Sequence, residues 1–339
     1  MDTAQQYYPL VSVIIPVKNS SNTLGQCIRS VKRSYYKNYE IIVVDDHSTD
    51  NSVEIANSYK CNVIQVKDGN GANNARNVGA SAAKGEILMF VDSDIVLRRE
   101  TILGIVEALE ENHLDAVVGV YSTKHRHETL VSQYKNLWVR YSYIKSPPTI
   151  DWLFGSISGI KRQAFEKLGG FNVELLAKHG HDDIELGKRA AQAKLNIVLD
   201  IEIEVEHLKN YTLLSFIKNE FNRSVGFAEL AIIFRETTQS IKRGFVNVYP
   251  TFIISTIASI FVVAFLIAIV AGLLPTWYAL VVIGLYLLLN IRFLNYLEQV
   301  RGLFAMIAMI PYLFIDHFVC FIGSIVGTIK GILKSRKSH

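Results

Sequence analysis

From Phe245 to Ile291 the chain carries no Asp, Glu, Lys or Arg, a run of 47 residues. About 20 apolar residues already cross the hydrocarbon core of a bilayer as a helix, so the run has room for two spans. Gly272-Leu-Leu-Pro275-Thr supplies a break between them. The expectation is a helical hairpin with arms at about 248–271 and 276–294. Lys242 and Arg243 precede it, and Arg292 and Arg301 follow it, which puts both ends on the cytoplasmic side. Gly302–Ile329 holds a single formal charge, Asp316. A third span there would carry the basic tail (Lys330, Lys334, Arg336, Lys337) to the far side. Pro311, Asp316 and His317 also divide the segment into two short apolar halves. A re-entrant or interfacial hairpin over 303–329 is therefore expected in preference to a third span.

The remainder reads as a folded, water-facing body. Of 339 residues, 50% are hydrophobic and 19% charged, which excludes a disordered chain, a collagen-like fibre and a disulfide-stapled miniprotein. Residues 245–339 hold six basic and two acidic residues, so they account for the whole formal net charge of +4. No basic face for nucleic acid is left over, and the tail suits anionic lipid head groups. Cys27, Cys61 and Cys320 lack metal-site spacing and are compatible with a reducing compartment. The opening residues show neither a basic nor an apolar region, so no signal peptide is expected.

Residues 1 to about 210 alternate between two periodicities. Val11–Pro16, Glu40–Val44, Asn62–Val66 and Glu86–Val91 are β-branched or apolar runs suited to buried strands. Asn22–Tyr35, Val53–Tyr59 and Asn73–Ala83 are spaced as helices. Alternation of this kind predicts an α/β, mostly parallel sheet covered on both faces, with ligands bound beyond the carboxyl ends of the strands. Asp45-Asp46 and Asp92-Ser93-Asp94 fall at that edge. Two carboxylates one residue apart after a buried strand suit a hard cation, Mg²⁺ or Mn²⁺. An ordinary turn also uses Asp and Ser, and Asp-x-Asp alone is a weak signal.

The motif is made specific by its company. Val11-Ser-Val-Ile-Ile-Pro-Val-Lys-Asn19, Glu40-Ile-Ile-Val-Val-Asp-Asp-His-Ser-Thr-Asp50, Ala75-Arg-Asn-Val-Gly79 and Gly85-Glu-Ile-Leu-Met-Phe-Val-Asp-Ser-Asp94 occur in order. Together they resemble the nucleotide-sugar half of family 2 glycosyltransferases. Gly159, Lys161–Phe165 and Gly169-Gly-Phe-Asn172 look like that family's segment leading to the acceptor region. Asp182-Asp-Ile-Glu-Leu186 is similar to its acidic motif, with Asp182 in place of the usual Glu. The resemblance covers roughly residues 9–210 and implies a GT-A (Rossmann-like) catalytic domain.

It further implies inversion by direct displacement: an acceptor hydroxyl attacks the sugar's anomeric carbon as a nucleoside diphosphate leaves. Asp183 matches the family's general base, which typically contributes about 10²–10⁴-fold. A helix-start carboxylate is the plain alternative for it. Asp94, with Asp92 and His207, is the expected set for a divalent cation, Mn²⁺ or Mg²⁺; a lone His is more often structural. Pro16, Asn19, Asp46, Arg76, Asp92, Ser93 and Arg223 are the expected nucleotide-sugar contacts. Asp46 takes the base, and Arg76 pairs with a phosphate or with Asp92 unless it is a surface ion pair. Trp152 and Asp182 are assigned to the acceptor, although aromatics such as Trp152 and Tyr121 are more commonly core. Asn219-Glu-Phe-Asn-Arg223 departs from the Gln-x-x-Arg-Trp of the processive polysaccharide synthases, against a polymerising enzyme.

Residues 211–244 alternate apolar and charged positions as amphipathic helices lying on the membrane surface, and 245–339 form the membrane region. The expected protein is a multi-pass enzyme of the cytoplasmic membrane with its catalytic domain in the cytoplasm. It moves one sugar, most plausibly uridine-diphosphate-linked, to a lipid or lipid-linked acceptor. Expected partners are the donor, that acceptor and the membrane, with no nucleic acid and homo-oligomerisation left open. The alternatives are a polyprenyl-phosphate monosaccharide synthase, although Asp92-Ser-Asp-Ile-Val-Leu97 differs from the usual Asp-Ala-Asp-Leu-Gln run, and a non-catalytic nucleotide-sugar scaffold.

Overall fold

A computed structural model describes residues 8–69, 71–127, 129–173, 182–233 and 249–337. They fall into two compact units. Of the described residues, the first comprises those up to Lys124, those from Pro147 to Val173, and Asp182–Lys209.

Its first half follows the sequence closely. β1 (Val11–Val17), α1 (Leu24–Lys32), β2 (Tyr39–Asp45), α2 (Ser52–Ser58), β3 (Asn62–Gln65), α3 (Ala72–Ala82) and β4 (Ile87–Val91) alternate as expected. β1 is buried along its whole length, because helices cover both faces and leave no side of the strand for polar residues. Gly79 of α3 lies where a Cβ would meet Ile14 Cγ2 at 2.4 Å, so the helix presses directly onto β1. β5 (Ile95–Leu97), α4 (Thr101–Glu111) and β6 (Ala116–Tyr121) follow. After them come β7 (Ile157–Lys161), α6 (Arg162–Lys167), α7 (Asp182–Gln192) and β8 (Ile197–His207).

The eight strands form one sheet in the order β3-β2-β1-β4-β7-β6-β8-β5. β3, β2, β1 and β4 are parallel neighbours, which is the portion the alternation predicts. The other half is mixed: β7 runs antiparallel to β4 and to β6, and β5 runs antiparallel to β8. Reversal at β7 turns the segment before it, residues 152–156, toward the carboxyl end of β4, with Val91 opposite Ile157. The register of β5 against β8 sets Ile95 opposite His207.

The second unit is helical. It contains α8 (Leu213–Ile233), α9 (Pro250–Val270), α10 (Tyr278–Leu289), α11 (Ile291–Arg301) and α12 (Leu303–Lys337), together with α5 (Leu130–Ile144) from the middle of the expected 1–210 domain. α5 groups with these helices because Tyr134, Leu137, Trp138 and Tyr141 join Phe216, Phe252, Phe293, Leu297 and Leu313 in one buried cluster. Of the expected amphipathic segment 211–244, α8 is described and 234–244 lies outside the described residues, as do Lys242 and Arg243.

α9 is about 31 Å long and matches the first expected arm from 250 onward; 248 lies outside the described residues. The second arm differs from expectation. α10 ends after 12 residues, about 18 Å, and the chain bends by 73° at Asn290 into α11. Asn290 makes this bend: its amide donates to Tyr286 O (2.9 Å) and its Oδ1 accepts from Ser255 (3.0 Å). α12 also differs, since no break occurs at Pro311, Asp316 or His317 and the helix runs unbroken for 35 residues. The polar pair is absorbed by partners, Tyr134 Oη donating to Asp316 Oδ2 (2.8 Å) and Tyr286 Oη meeting His317 Nδ1 (2.5 Å). α9 and residues 303–334 of α12 are each long and apolar enough to cross a membrane, and the bent α10–α11 pair makes a third only if it counts as one span.

Candidate active site

At the carboxyl ends of β1, β2 and β4 lies a cavity of about 310 Å³ lined by Pro16, Lys18, Ser20, Asp46, Gly71, Asp92, Ser93 and Asp94. Asp46 is 2% exposed; its Oδ2 accepts from Lys18 Nζ (3.1 Å), and its Oδ1 has no hydrogen-bond partner. A buried carboxylate oxygen without a donor is costly, so this atom suits a ligand N–H. Asp45 is held by the Ser48 N–H and is structural. Asn19 shapes the loop: at φ +51° its Oδ1 accepts from the Thr49 N–H (2.8 Å), and its own N–H donates to Ser48. It does not line the cavity. Ser93 Oγ bonds Ser20 Oγ (2.8 Å) across the cavity wall.

Asp92 is clamped from both sides. Its Oδ1 receives Arg76 Nη2 at 2.6 Å, and its Oδ2 receives Ser156 Oγ at 2.6 Å. Of the roles expected for Arg76, the structure shows the pairing with Asp92; the residue is 6% exposed and its guanidinium also bonds Asn73 (2.5 Å). Asp94 differs, since its Oδ2 lies 3.5 Å from His207 Nε2, longer than a good hydrogen bond. Burial works to raise the Asp94 pKa, but His207 and Lys209 outweigh it and hold the carboxyl below its usual range. His207 is stacked on Tyr121 (4.3 Å between centroids, 12° between planes), and Tyr121 Oη bonds Ser156 Oγ at 3.0 Å. Tyr121 therefore positions His207 and does not face the cavity wall set out above.

Asp183, at the start of α7, accepts the Gly155 N–H through Oδ2 and the Ile184 N–H through Oδ1, both at 2.9 Å. Burial raises its pKa more than these bonds and nearby Arg76 lower it. Gly155 and Ser156 thus hold Asp183 and Asp92 from adjacent positions in the chain. A Cβ at Gly155 would stand 2.7 Å from Arg76 Nη2, so a side chain there would have to displace the guanidinium.

Asp94 and His207 offer donor types that suit a divalent cation, but Asp92, both of whose oxygens are engaged, does not join them in a close three-ligand group. Among the described residues the group whose ligand atoms lie within 4.8 Å of one another is Glu220, Asp316 and Cys320. It fits a cation poorly, because Glu220 is paired with Lys135 (2.5 Å) and Arg223 (2.6 Å) and Asp316 receives Tyr134.

Some expected members are placed elsewhere. Arg223 belongs to the helical unit, where Glu220 holds it and Trp138 lies 4.4 Å under its guanidinium. Trp152 is 1% exposed and is a core residue, with α7 packed so closely that a Cβ on Gly187 would meet Trp152 Cα at 2.2 Å. The Asp182 side chain lies outside the described residues. Lys18, Gly155 and Ser156 were missed as site residues by the sequence reading, since nothing in a Gly-Ser pair ahead of a strand marks it as a brace.

Residues 12–169 match the model of glycosyl transferase family 2, and residues 137–212 match one described as the N-terminal domain of galactosyltransferase. The chain is 37% identical over 117 residues to glycosyltransferase GlyG of Streptococcus pneumoniae serotype 4, covering 33% of this chain and 39% of that protein. It is 37% identical over 117 residues to poly(ribitol-phosphate) beta-glucosyltransferase of Bacillus spizizenii, covering 32% of this chain and 18% of that one. These alignments span well under half of the relatives' length. Among solved structures, mannosyltransferase PcManGT from Pyrobaculum calidifontis, in complex with GDP-Man and Mn²⁺, shares the fold. Its TM-score is 0.59 at 18% identity, covering 97% of this chain and 88% of that one.

Proposed function

From the match of residues 12–169 to the glycosyl transferase family 2 model, we propose that the chain is a membrane-bound inverting glycosyltransferase of that family. It moves one sugar from a nucleotide sugar to a hydroxyl of a lipid or lipid-linked acceptor at the cytoplasmic face. The observation that carries this reading is the shared brace, Gly155 bonding Asp183 and Ser156 bonding Asp92. It joins a carboxylate of the donor side to a carboxylate with raised proton affinity.

Asp46 Oδ1 accepts the imide N–H of the nucleotide base, uracil in our reading. Asp183 takes the proton of the attacking hydroxyl, and burial strengthens it as a base. Asp94 and His207 would hold Mn²⁺ or Mg²⁺, which supplies positive charge against the leaving diphosphate. Arg76 holds the Asp92 carboxylate in place. The Mn²⁺ in the mannosyltransferase complex supports a divalent cation, and the similarity to a poly(ribitol-phosphate) beta-glucosyltransferase supports the reaction class. The span-length helices and the basic tail support the membrane location.

A polyprenyl-phosphate synthase is the second reading, favoured only by the membrane helices; a phosphate acceptor needs no base. Asp183→Asn should therefore slow transfer to a hydroxyl acceptor by about 10²–10⁴-fold and spare transfer to a phosphate. Binding is tested by thermal unfolding of detergent-solubilised protein against UDP- and GDP-sugars with and without Mn²⁺. A saturating donor at 100 times Kd adds about 2.7 kcal/mol. A metal-dependent shift lost in Asp94→Ala supports the site, whereas a folded wild type that shifts with no donor sinks it.

A further inference from the structure

Residues 303–334 of α12 are long and apolar enough to cross a membrane, yet the contacts of this helix run across its neighbours rather than along them. The Phe252 ring of α9 lies 4.8 Å from the His317 ring of α12, and residues from Phe252 to Ile257 share a cavity wall with residues from Cys320 to Ile329. Along α12 the contact advances from His317 to Ile329, about 18 Å, but along α9 only from Phe252 to Ile257, about 7.5 Å. Helices packed side by side advance equally, so these two cross steeply. α10 meets α12 at the same level: Tyr286 Oη bonds His317 Nδ1, and the Tyr286 ring lies 5.7 Å from Phe314. One turn further on, Asn290 accepts from Ser255 of α9. α12 therefore lies across the end of the α9–α10 hairpin that holds Pro250 and Asn290. Toward the other end, Phe261, Ile267 and Val270 of α9 and Leu280 of α10 are exposed.

The circumference of α12 is sorted by polarity. Gly323, Gly327 and Gly331 face α8, whose Ser224, Val225 and Ile232 follow in the same order, so the two helices run parallel. Ile322, Ile325, Ile329 and Ile332 recur at three- and four-residue steps on the opposite face, and all four are exposed. Lys334 turns to the α8 side, where it pairs with Glu229 (2.5 Å). α8 also carries Lys218, Glu220 and Arg223. A transverse α12 would draw these charges toward hydrocarbon, where each is costly. An apolar stripe opposite a charged side instead suits a helix lying flat, its apolar face sunk about 5–10 Å into the boundary between head groups and acyl chains.

We propose that α12 lies in the plane of the membrane surface, across one end of the α9–α10 hairpin, with Ile322, Ile325, Ile329 and Ile332 seated in the lipid boundary. The partner of this face is the bilayer itself. The inference rests on the membrane reading above in taking α9 to cross.

The test uses the full-length protein in phosphatidylcholine nanodiscs with lipids brominated at different chain depths. Ile322, Ile325, Ile329 and Ile332 are replaced singly by Trp, and quenching is read as the difference from the unsubstituted protein. All four positions should report one shallow depth, agreeing within about 5 Å. A crossing helix would spread them over about 15 Å between 322 and 332. Sidedness is read on two further variants, Thr276→Cys in the α9–α10 turn and Lys330→Cys near the end of α12, both at exposed positions. In sealed vesicles of one orientation an impermeant maleimide, located by peptide mass, should reach them from opposite sides. Both reached from one side, with a depth gradient along α12, means that α12 crosses and overturns this inference alone. Both reached from one side with no quenching means that neither helix enters the bilayer and overturns the membrane reading with it.

Discussion

Asp183 shows how burial and backbone contacts combine in one residue. Its two backbone N–H bonds and the Arg76 charge favour the carboxylate, yet desolvation prevails and its pKa is raised. A general base must be deprotonated, so kcat/KM should rise with pH through that raised pKa, on a limb lying above the ordinary Asp value of about 3.9. Asp183→Asn should remove the limb along with about 10²–10⁴-fold of the rate, read from the pH–rate profile of both proteins. An unchanged limb in the variant would assign it to another group. Gly155 is constrained differently, by the 2.7 Å between its absent Cβ and Arg76 Nη2. Gly155→Ala should push Arg76 from Asp92 and weaken donor binding by about 1.5–3 kcal/mol, the range for a hydrogen bond to a charged group. Titration calorimetry with the donor would measure it, and an unchanged affinity would separate the Arg76–Asp92 pair from binding.

Among the elements, α12 is defined by its pairing with α8. Gly323, Gly327 and Gly331 recur every fourth residue and form one stripe. Added Cβ atoms would stand 2.0 Å from Ser224 Oγ, 2.2 Å from Val225 O and 2.9 Å from Ile232 Cβ. Small residues at this spacing let helix backbones approach closely, as in membrane helix pairs. Gly327 faces backbone, which cannot swing aside. Gly327→Leu should therefore cost at least the 1–3 kcal/mol typical of overpacking, or roughly that much in thermal unfolding. Gly284→Leu on α10, whose Cβ meets nothing within 4 Å, is the matched control. Equal unfolding temperatures for the two variants would show that the close contact contributes little.

For the whole molecule, the question is whether the apolar helices only touch a membrane or enter it. α9 and residues 303–334 of α12 are each apolar over a length that crosses a bilayer. Helices inserted across the bilayer resist extraction, whereas electrostatic attachment through the basic tail is lost with salt. Native membranes washed with alkaline carbonate should retain the protein in the pellet. Release into the supernatant would reduce the membrane reading to surface attachment.

The amino-acid sequence determined most of what depends on local order. Buried strands β1, β2 and β4 are continuous apolar runs, and β2 and β4 run into Asp45-Asp46 and Asp92-Ser-Asp94, so the sequence alone put these carboxylates at one edge of the sheet. The apolar helices were legible because a bilayer demands length without charge. Tertiary structure decided whatever depends on partners distant in the chain. Asp316 and His317 look like a break until Tyr134 and Tyr286 satisfy them. Trp152 looks like a platform until α7 covers it, and Arg223 looks like a phosphate ligand of the sheet domain until Glu220 claims it in the other unit. Gly155 and Ser156 gained their role when β7 reversed direction beside β4, because antiparallel pairing brings the residues preceding one strand to the end of its neighbour. A linear pattern records how each residue suits its own element, whereas these positions depended on which polar group found a donor across the fold.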